Sequence, residues 1–202
     1  MDAPVDGPIC VMCSEPATQR CTQCRSQIYC GKQCQKSDWR VHKLLCSSYQ
    51  QFQTPPHENA RRAIVFEQNE PVVKFKWVSI KIMEPDGPEP YEFPILEEYF
   101  GPGKNGHCHI HCRNPIRGRH LRDYLDLRFR DAFLLDGSTP NQAVAAVAHV
   151  PGGNVWCGPL IALKWKKGPS NGYMVPTDPP YTHMEMGDLR EVVDYLVSFG
   201  ME

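Results

Sequence analysis

The sequence predicts a small cysteine-rich module followed by an α+β domain, mainly an antiparallel sheet with a C-terminal helix. Three observations predict it. Seven of the ten cysteines fall before residue 50, with His42 in step with them. Past residue 60 the composition turns to β-branched and aromatic runs broken by Pro and Gly, the signature of strands and turns. Near the end, Leu189, Val192, Val193, Leu196 and Val197 recur at i, i+3, i+4, i+7 and i+8, with Asp188, Arg190, Glu191 and Asp194 on the other face. That is the apolar stripe of an amphipathic helix, and Gly200 stands where a helix stop is expected.

The 202 residues allow one ordinary core domain and a small satellite, not two full-sized domains. The net charge of −1 gives no sign of the basic surface that nucleic-acid binders use, so nucleic acid is not the expected partner. No stretch approaches the roughly 18 consecutive apolar residues that span a bilayer, and no membrane association is expected. The first residues, Met1 to Pro8, carry acids and prolines instead of a basic start and an apolar run. The chain is expected to be soluble and intracellular, in nucleus and/or cytoplasm. In such a reducing compartment crowded cysteines serve metal or redox chemistry, not disulfides.

In chain order, residues 1–50 form the cysteine module and residues 51–60 a linker, because the segment after Cys46 is polar and Gln-rich and contains Pro55-Pro56. The α+β domain covers residues 61–202. Its strand candidates are residues 63–66, 72–83 and 155–165; in 72–83 the lysines and Ser79 punctuate an apolar set with partial period two. A short amphipathic turn is expected at residues 95–100, ahead of Gly101-Pro102-Gly103. Residues 117–130 are rich in arginine, with Asp123, Asp126 and Asp131 interspersed, and read as a solvated or salt-bridged strand and turn. Phe133-Leu134-Leu135-Asp136-Gly137-Ser138 reads as a strand entering a turn.

The cysteine module carries the most specific signal. Its ligand-type residues run Cys10-x2-Cys13, Cys21-x2-Cys24, Cys30-x3-Cys34 and His42-x3-Cys46. Eight ligands make two tetrahedral zinc sets, and each Cys-x2-Cys knuckle supplies two thiolates from one tight turn. Residues four apart, as in Cys30/Cys34 and His42/Cys46, share one face of a helical turn. Two closed Zn2+ sites are structural, not catalytic. The segment is too short and too polar to bury a useful core, so zinc should supply most of its folding free energy, on the order of 10 kcal/mol per site. Chelation is therefore expected to collapse this module while leaving residues 61–202 largely folded.

The eight ligands, together with Tyr29-Cys30-Gly31 and Asp38-Trp39, resemble the MYND-type zinc finger across residues 10–46. The fold expected is thus a small zinc-stabilised MYND finger followed by the α+β domain. The resemblance implies interleaved pairs: Cys10, Cys13, Cys30 and Cys34 on one ion, and Cys21, Cys24, His42 and Cys46 on the other. It also implies transcription regulation and a protein partner, since MYND fingers of transcriptional corepressors take up short proline-rich peptides in a groove whose positions correspond here to Thr22, Gln35 and Trp39. Gln35 and Trp39, at i and i+4, place an amide beside an aromatic face, which suits an extended proline-containing peptide. From residue 61 onward, Arg61-Arg62-Ala63-Ile64-Val65-Phe66, the Phe133 to Ser138 step and Trp156-Cys157-Gly158-Pro159 resemble the companion region of small fungal MYND proteins without a SET domain, which names no activity.

Two other functions compete with a peptide-binding module. In His107-Cys108-His109-Ile110-His111-Cys112, strand alternation would send three imidazoles to one face and Cys108, Ile110 and Cys112 to the other. A face of His107, His109 and His111, completed by His120, His149 or His183, would make a metal-dependent enzyme; the plainer reading buries the Cys/Ile face and leaves the imidazoles wet. A nucleic-acid-associated regulator would use Arg25, Lys32, Lys36, Arg40 and Lys43, a set that Asp38 interrupts.

Overall fold

The computed structural model describes residues 7–84, 91–102, 104, 106–133, 135–166 and 181–201. In the finger, the two-residue strands β1 (Gln19–Arg20) and β2 (Ile28–Tyr29) pair antiparallel ahead of helix α1 (Lys32–Cys46). Every strand pairing in the α+β domain is antiparallel as well. Its strands are β3 (Ala60–Phe66), β4 (Val73–Met83), β5 (Tyr91–Pro94), β6 (His107–Asn114), β7 (Arg119–Phe129), β8 (Leu160–Trp165) and β9 (Tyr181–Thr182). They lie in the order β5-β4-β3-β8-β7-β6, with β9 beside the far end of β8. Among the described residues this domain also has the helices α2 (Glu97–Phe100), α3 (Gln142–Ala148) and α4 (Met186–Met201).

Period-two alternation sorts the sheet into two faces. Ile64 and Phe66 of β3 point to one side, where Phe75, Leu125, Leu127, Leu160 and Ala162 meet Leu189, Val192, Val193 and Leu196 of α4. Ala63 and Val65 point to the other, with Val78, Ile80, Leu96, Phe100, Ile161 and Leu163. The expected stripe of α4 is therefore its buried face, Val197 being half-buried. Gly200 does not end α4, which runs to Met201. It packs tightly on Val150, whose Cγ2 would stand 3.0 Å from a Cβ at position 200, and its carbonyl accepts from Asn154 N–H at 3.2 Å, an approach that Gly153 permits because a Cβ there would stand 1.7 Å from that oxygen.

The first face does not end at the domain. Cys21, Cys24, Val41, Leu45, Cys46 and Tyr49 belong to the same buried cluster as the sheet and α4. The stretch expected to be a linker starts inside this packing. Residues 49–52 form a 3-10 turn, Tyr49 is buried, and Phe52 lies against Phe75 and Trp77 at ring distances of 5.8 and 6.0 Å. The polar composition of the segment after Cys46 hid these two anchors.

Other local expectations shift by identifiable causes. The strand expected at 155–165 begins at Leu160, because Cys157 only bridges to Pro140. Around Phe133 the chain turns instead of extending: Phe133 N–H donates to Arg130 O, and its ring stacks on Trp156 at 4.9 Å. Leu134 lies outside the described residues. In β6 a register shift between His111 and Arg113 breaks the alternation, so Cys112 is exposed while Cys108 and Ile110 are half-buried. Strand β7 is salt-bridged as expected, but internally: Asp126 and Arg128 are buried, pair at 2.8 Å and share the Tyr181 hydroxyl.

Candidate functional site

The two knuckles are built alike. Ser14 N–H donates to Cys10 O at 3.0 Å and Arg25 N–H to Cys21 O at 2.9 Å, and both residues take positive φ, 65° and 59°. This turn aims backbone N–H groups at sulfur: those of Met12 and Cys13 at Cys10, those of Gln23 and Cys24 at Cys21, and those of Ser26 and Gln27 at Cys24. Such donors stabilise thiolates. Cys30 precedes α1, Cys34 lies in its first turn, and His42 and Cys46 lie at its far end. One helix thus serves both sites.

The eight ligands meet as two tetrads, Cys10/Cys13/Cys30/Cys34 and Cys21/Cys24/His42/Cys46, each with its ligand atoms within 4.8 Å of one another. Within the first, Cys13 Sγ is 3.5 Å from Cys30 Sγ and 3.8 Å from Cys34 Sγ, and Cys30 and Cys34 are 3.5 Å apart. Within the second, Cys21 Sγ is 3.7 Å from Cys46 Sγ, and His42 Nε2 is 3.3 Å from Cys21 Sγ and 3.8 Å from Cys24 Sγ. Tetrahedral zinc with bonds of about 2.3 Å to sulfur separates its ligands by about 3.8 Å, whereas a disulfide needs about 2.05 Å. All ten cysteines are free thiols, and the geometry fits zinc.

The electrostatics agree. Burial first, then the neighbouring Cys21 sulfur, pushes the Cys46 thiol up to about 12. Hydrogen bonding with Cys30, then burial, pushes Cys34 up to about 12. Crowded thiols of this kind do not ionise together unless a cation balances them. Burial also lowers the pKa of His42, which keeps its imidazole neutral and able to donate a lone pair. Both tetrads are zinc sites. Four protein ligands fill each tetrahedron, and the pairs interleave as the resemblance implied.

The α+β domain grips the finger through arginine hydrogen bonds and an ion pair that sequence reasoning missed. At the β6–β7 turn, Arg119 donates to Cys10 O at 3.2 Å, Val11 O at 2.8 Å and Ser14 Oγ at 3.0 Å, and Arg117 donates to Met12 O at 2.6 Å. Two guanidinium groups therefore hold three successive carbonyls of the first knuckle. They are anchored on α4, Arg119 by Glu191 and Arg117 by Asp194 at 2.6 Å. Arg190 of α4 bonds Asp38 at 2.7 Å, and Asp38 accepts from Tyr29 at 2.7 Å. Asp38, read as an interruption of a basic surface, is instead 2% exposed. Glu185 links Tyr49 to Arg62 in the same manner. The only sequence trace of this clamp is the balance of arginines at 117–130 with acids on the charged face of α4.

On the outer side of α1, Gln35 and Trp39 come together as expected. With Lys32 and Lys36 they line an open groove of about 320 Å³. Trp39 is 47% exposed, and its ring lies 5.9 Å from that of the zinc ligand His42. Thr22 is exposed in the second knuckle and is not among the lining residues. Of the three histidines, His109 and His111 come together, with ring centroids 4.2 Å apart and 6.1 and 3.7 Å from that of Tyr195, whereas His107 lies 3.5 Å from Asp131 and does not join them. Among the described residues, only the two finger tetrads gather three or more metal-ligand atoms.

Fold and site together define a zinc-stabilised finger built against an antiparallel α+β domain. Residues 10–46 match the family model of the MYND finger, whose members act as protein-interaction modules. The chain is 51% identical over 39 residues to "Dauer abnormal formation protein 25" of Caenorhabditis elegans, covering 19% of this chain and 10% of that protein. It is 49% identical over 43 residues to "SET domain and MYND-type zinc finger protein 6" of Schizosaccharomyces pombe, covering 20% and 9%. It is 38% identical over 48 residues to "Ubiquitin carboxyl-terminal hydrolase 19" of Arabidopsis thaliana, covering 23% and 7%. The chain spans a tenth or less of the length of these relatives. No solved structure matches it.

Proposed function

We propose that this chain is a protein-interaction module in which the two zinc ions are structural and the outer face of α1 recognises a short proline-containing peptide or partner segment. The observation that carries this reading is the placement of Trp39. A large ring left nearly half exposed, beside the Gln35 amide and over an open groove, is costly to leave in water and ready to stack on a proline. Zinc ligands at both ends of α1 fix the groove before the peptide arrives, which lowers the ordering cost of binding. Thr22, exposed on the second knuckle, is kept with Gln35 and Trp39 as a candidate peptide contact. Thiolate ligands of this kind suit a reducing compartment, nucleus or cytoplasm.

A labelled Pro-x-Leu-x-Pro peptide titrated into the zinc-loaded chain should bind with micromolar affinity, about −8 kcal/mol. Trp39→Ala should weaken it at least about fivefold, as loss of an aromatic anchor does, with both zinc ions retained. Loss of zinc in the variant would return Trp39 to a packing role. Equal binding by both proteins would move recognition off this groove.

A further inference from the structure

The groove lies along a cationic helix. Lys32, Lys36, Arg40 and Lys43 stand at i, i+4, i+8 and i+11 of α1. At about 100° per residue they fall in one stripe about 80° wide, immediately beside Gln35 and Trp39. All four are exposed, and Lys32 and Lys36 line the groove itself. The only acid of the helix, Asp38, is buried and occupied by Tyr29 and Arg190. None of the four cations forms an ion pair among the described residues, whereas Arg62, Arg117, Arg119 and Arg190, at the seam between finger and sheet, are each paired with a carboxylate. Among the described residues the outer face of α1 therefore has no paired counter-charge, Arg40 donating only to the Ala146 carbonyl at 3.4 Å.

We propose that the segment this groove takes is acidic as well as proline-containing: Asp or Glu residues flank the proline core, pairing with Lys32 and Lys36 at the groove and with Arg40 and Lys43 further along α1. This inference rests on the groove being a peptide site. Charge complementarity names the occupant's chemistry. A peptide is favoured over a nucleic acid because the stripe offers four cations over about 16 Å of helix on a chain of net charge −1, beside a groove sized for a side chain stacked on one ring. Each exposed pair contributes little alone, so the preference comes from several acting together, and it weakens as salt screens them.

The test titrates the full zinc-loaded chain with labelled peptides sharing a Pro-x-Leu-x-Pro core and flanked by Glu, Gln or Lys, and with a Glu-flanked peptide whose prolines are Ala. The Glu-flanked proline peptide should bind about tenfold tighter than its Gln-flanked twin at low salt, and the gap should close as salt rises. In Lys32→Gln/Lys36→Gln, with zinc content verified, that gap should shrink to about twofold. In Lys32→Glu/Lys36→Glu the order should reverse in favour of Lys flanks. Equal binding of Glu- and Gln-flanked peptides would overturn the acidic preference and leave the peptide reading standing. Equal binding of the Glu-flanked Pro and Ala peptides would uphold the acidic preference and remove the need for proline. Binding of none of them would defeat both readings. Tighter binding of an oligothymidylate than of the Glu-flanked peptide would replace the peptide with a nucleic acid.

Discussion

Replacing Arg119 by Met should loosen the first zinc site from a distance, although Arg119 ligates nothing. Its guanidinium makes three hydrogen bonds to the first knuckle, at 2.8, 3.0 and 3.2 Å, and pairs with Glu191, both side chains being 13% exposed. Removing one member of a mostly buried pair costs about 3 to 5 kcal/mol, and the residual exposure places this case at the lower end, about 3 kcal/mol. Part of the cost is the stranded Glu191 carboxylate, whose pKa burial already raises and which keeps Asn114 as a donor. For a chain of this length the loss corresponds to a Tm lowered by about 6 to 12 °C. Because the lost contacts fall on Cys10, Val11 and Ser14, the Cys10 tetrad should lose up to about a hundredfold in zinc affinity, at 1.4 kcal/mol per factor of ten. Competition with a chromophoric chelator should therefore turn release of two ions into a fast phase for one and a slow phase for the other. Arg119→Met/Glu191→Met should recover part of the Tm, since removing both partners leaves no buried charge unpaired. Unchanged release of both ions, with a Tm within about 1 °C of wild type, would refute the clamp.

Chelation of zinc from the full chain should unfold more than the finger. Cys21, Cys24, Leu45 and Tyr49 close the core over the sheet and α4, so near-UV circular dichroism should show α+β packing lost in the same transition as metal release; a sheet domain that keeps its native melting transition without zinc would contradict this. Stability should also carry a histidine-dependent slope in acid. Burial first, then His109, lowers the His111 pKa to about 4 from an ordinary value of 6.5. Between these values the unfolded chain binds more protons than the folded one, so stability falls as pH drops through that window. With His111 only partly buried, the loss between about pH 7 and about pH 5 is about 1 kcal/mol. Urea melts in excess zinc should show it in wild type and not in His111→Gln; identical slopes would place a charged imidazole in the native state.

The finger was legible because metal chemistry constrains spacing tightly. Four ligand pairs in thirty-seven residues fix both the number of ions and the turn type. Which pairs share an ion was not in the spacing, because neighbouring or interleaved pairs satisfy it equally; the resemblance supplied that step, and the path of α1 from Cys34 to Cys46 realises it. The long strand at 73–83 and helix α4 announced themselves by period. Hidden features share one physical character: they depend on partners far away in sequence. Asp38 looks like a surface acid until Arg190 arrives from α4. The Asp126–Arg128 pair reads as wet until Tyr181 covers it. Tyr49 and Phe52 look like stray aromatics in the polar stretch after Cys46 until the sheet face stands opposite them. Local pattern records burial along one element, and pairing across elements only after the fold is known.

The central claim, that the zinc-fixed outer face of α1 is the recognition surface, can be read directly from the indole N–H resonances of the chain's four tryptophans, Trp39, Trp77, Trp156 and Trp165. Trp156 is buried among aromatic rings of the domain core, and Trp165 packs against Tyr181, both apart from the groove. On titration of the zinc-loaded, nitrogen-15-labelled chain with a Glu-flanked Pro-x-Leu-x-Pro peptide, the Trp39 signal, assigned by its disappearance in Trp39→Phe, should shift progressively to saturation at micromolar peptide while the other three stay in place. A stationary Trp39 signal under a peptide concentration that saturates binding by anisotropy, or a shift of Trp77, Trp156 or Trp165 in its place, would contradict the account.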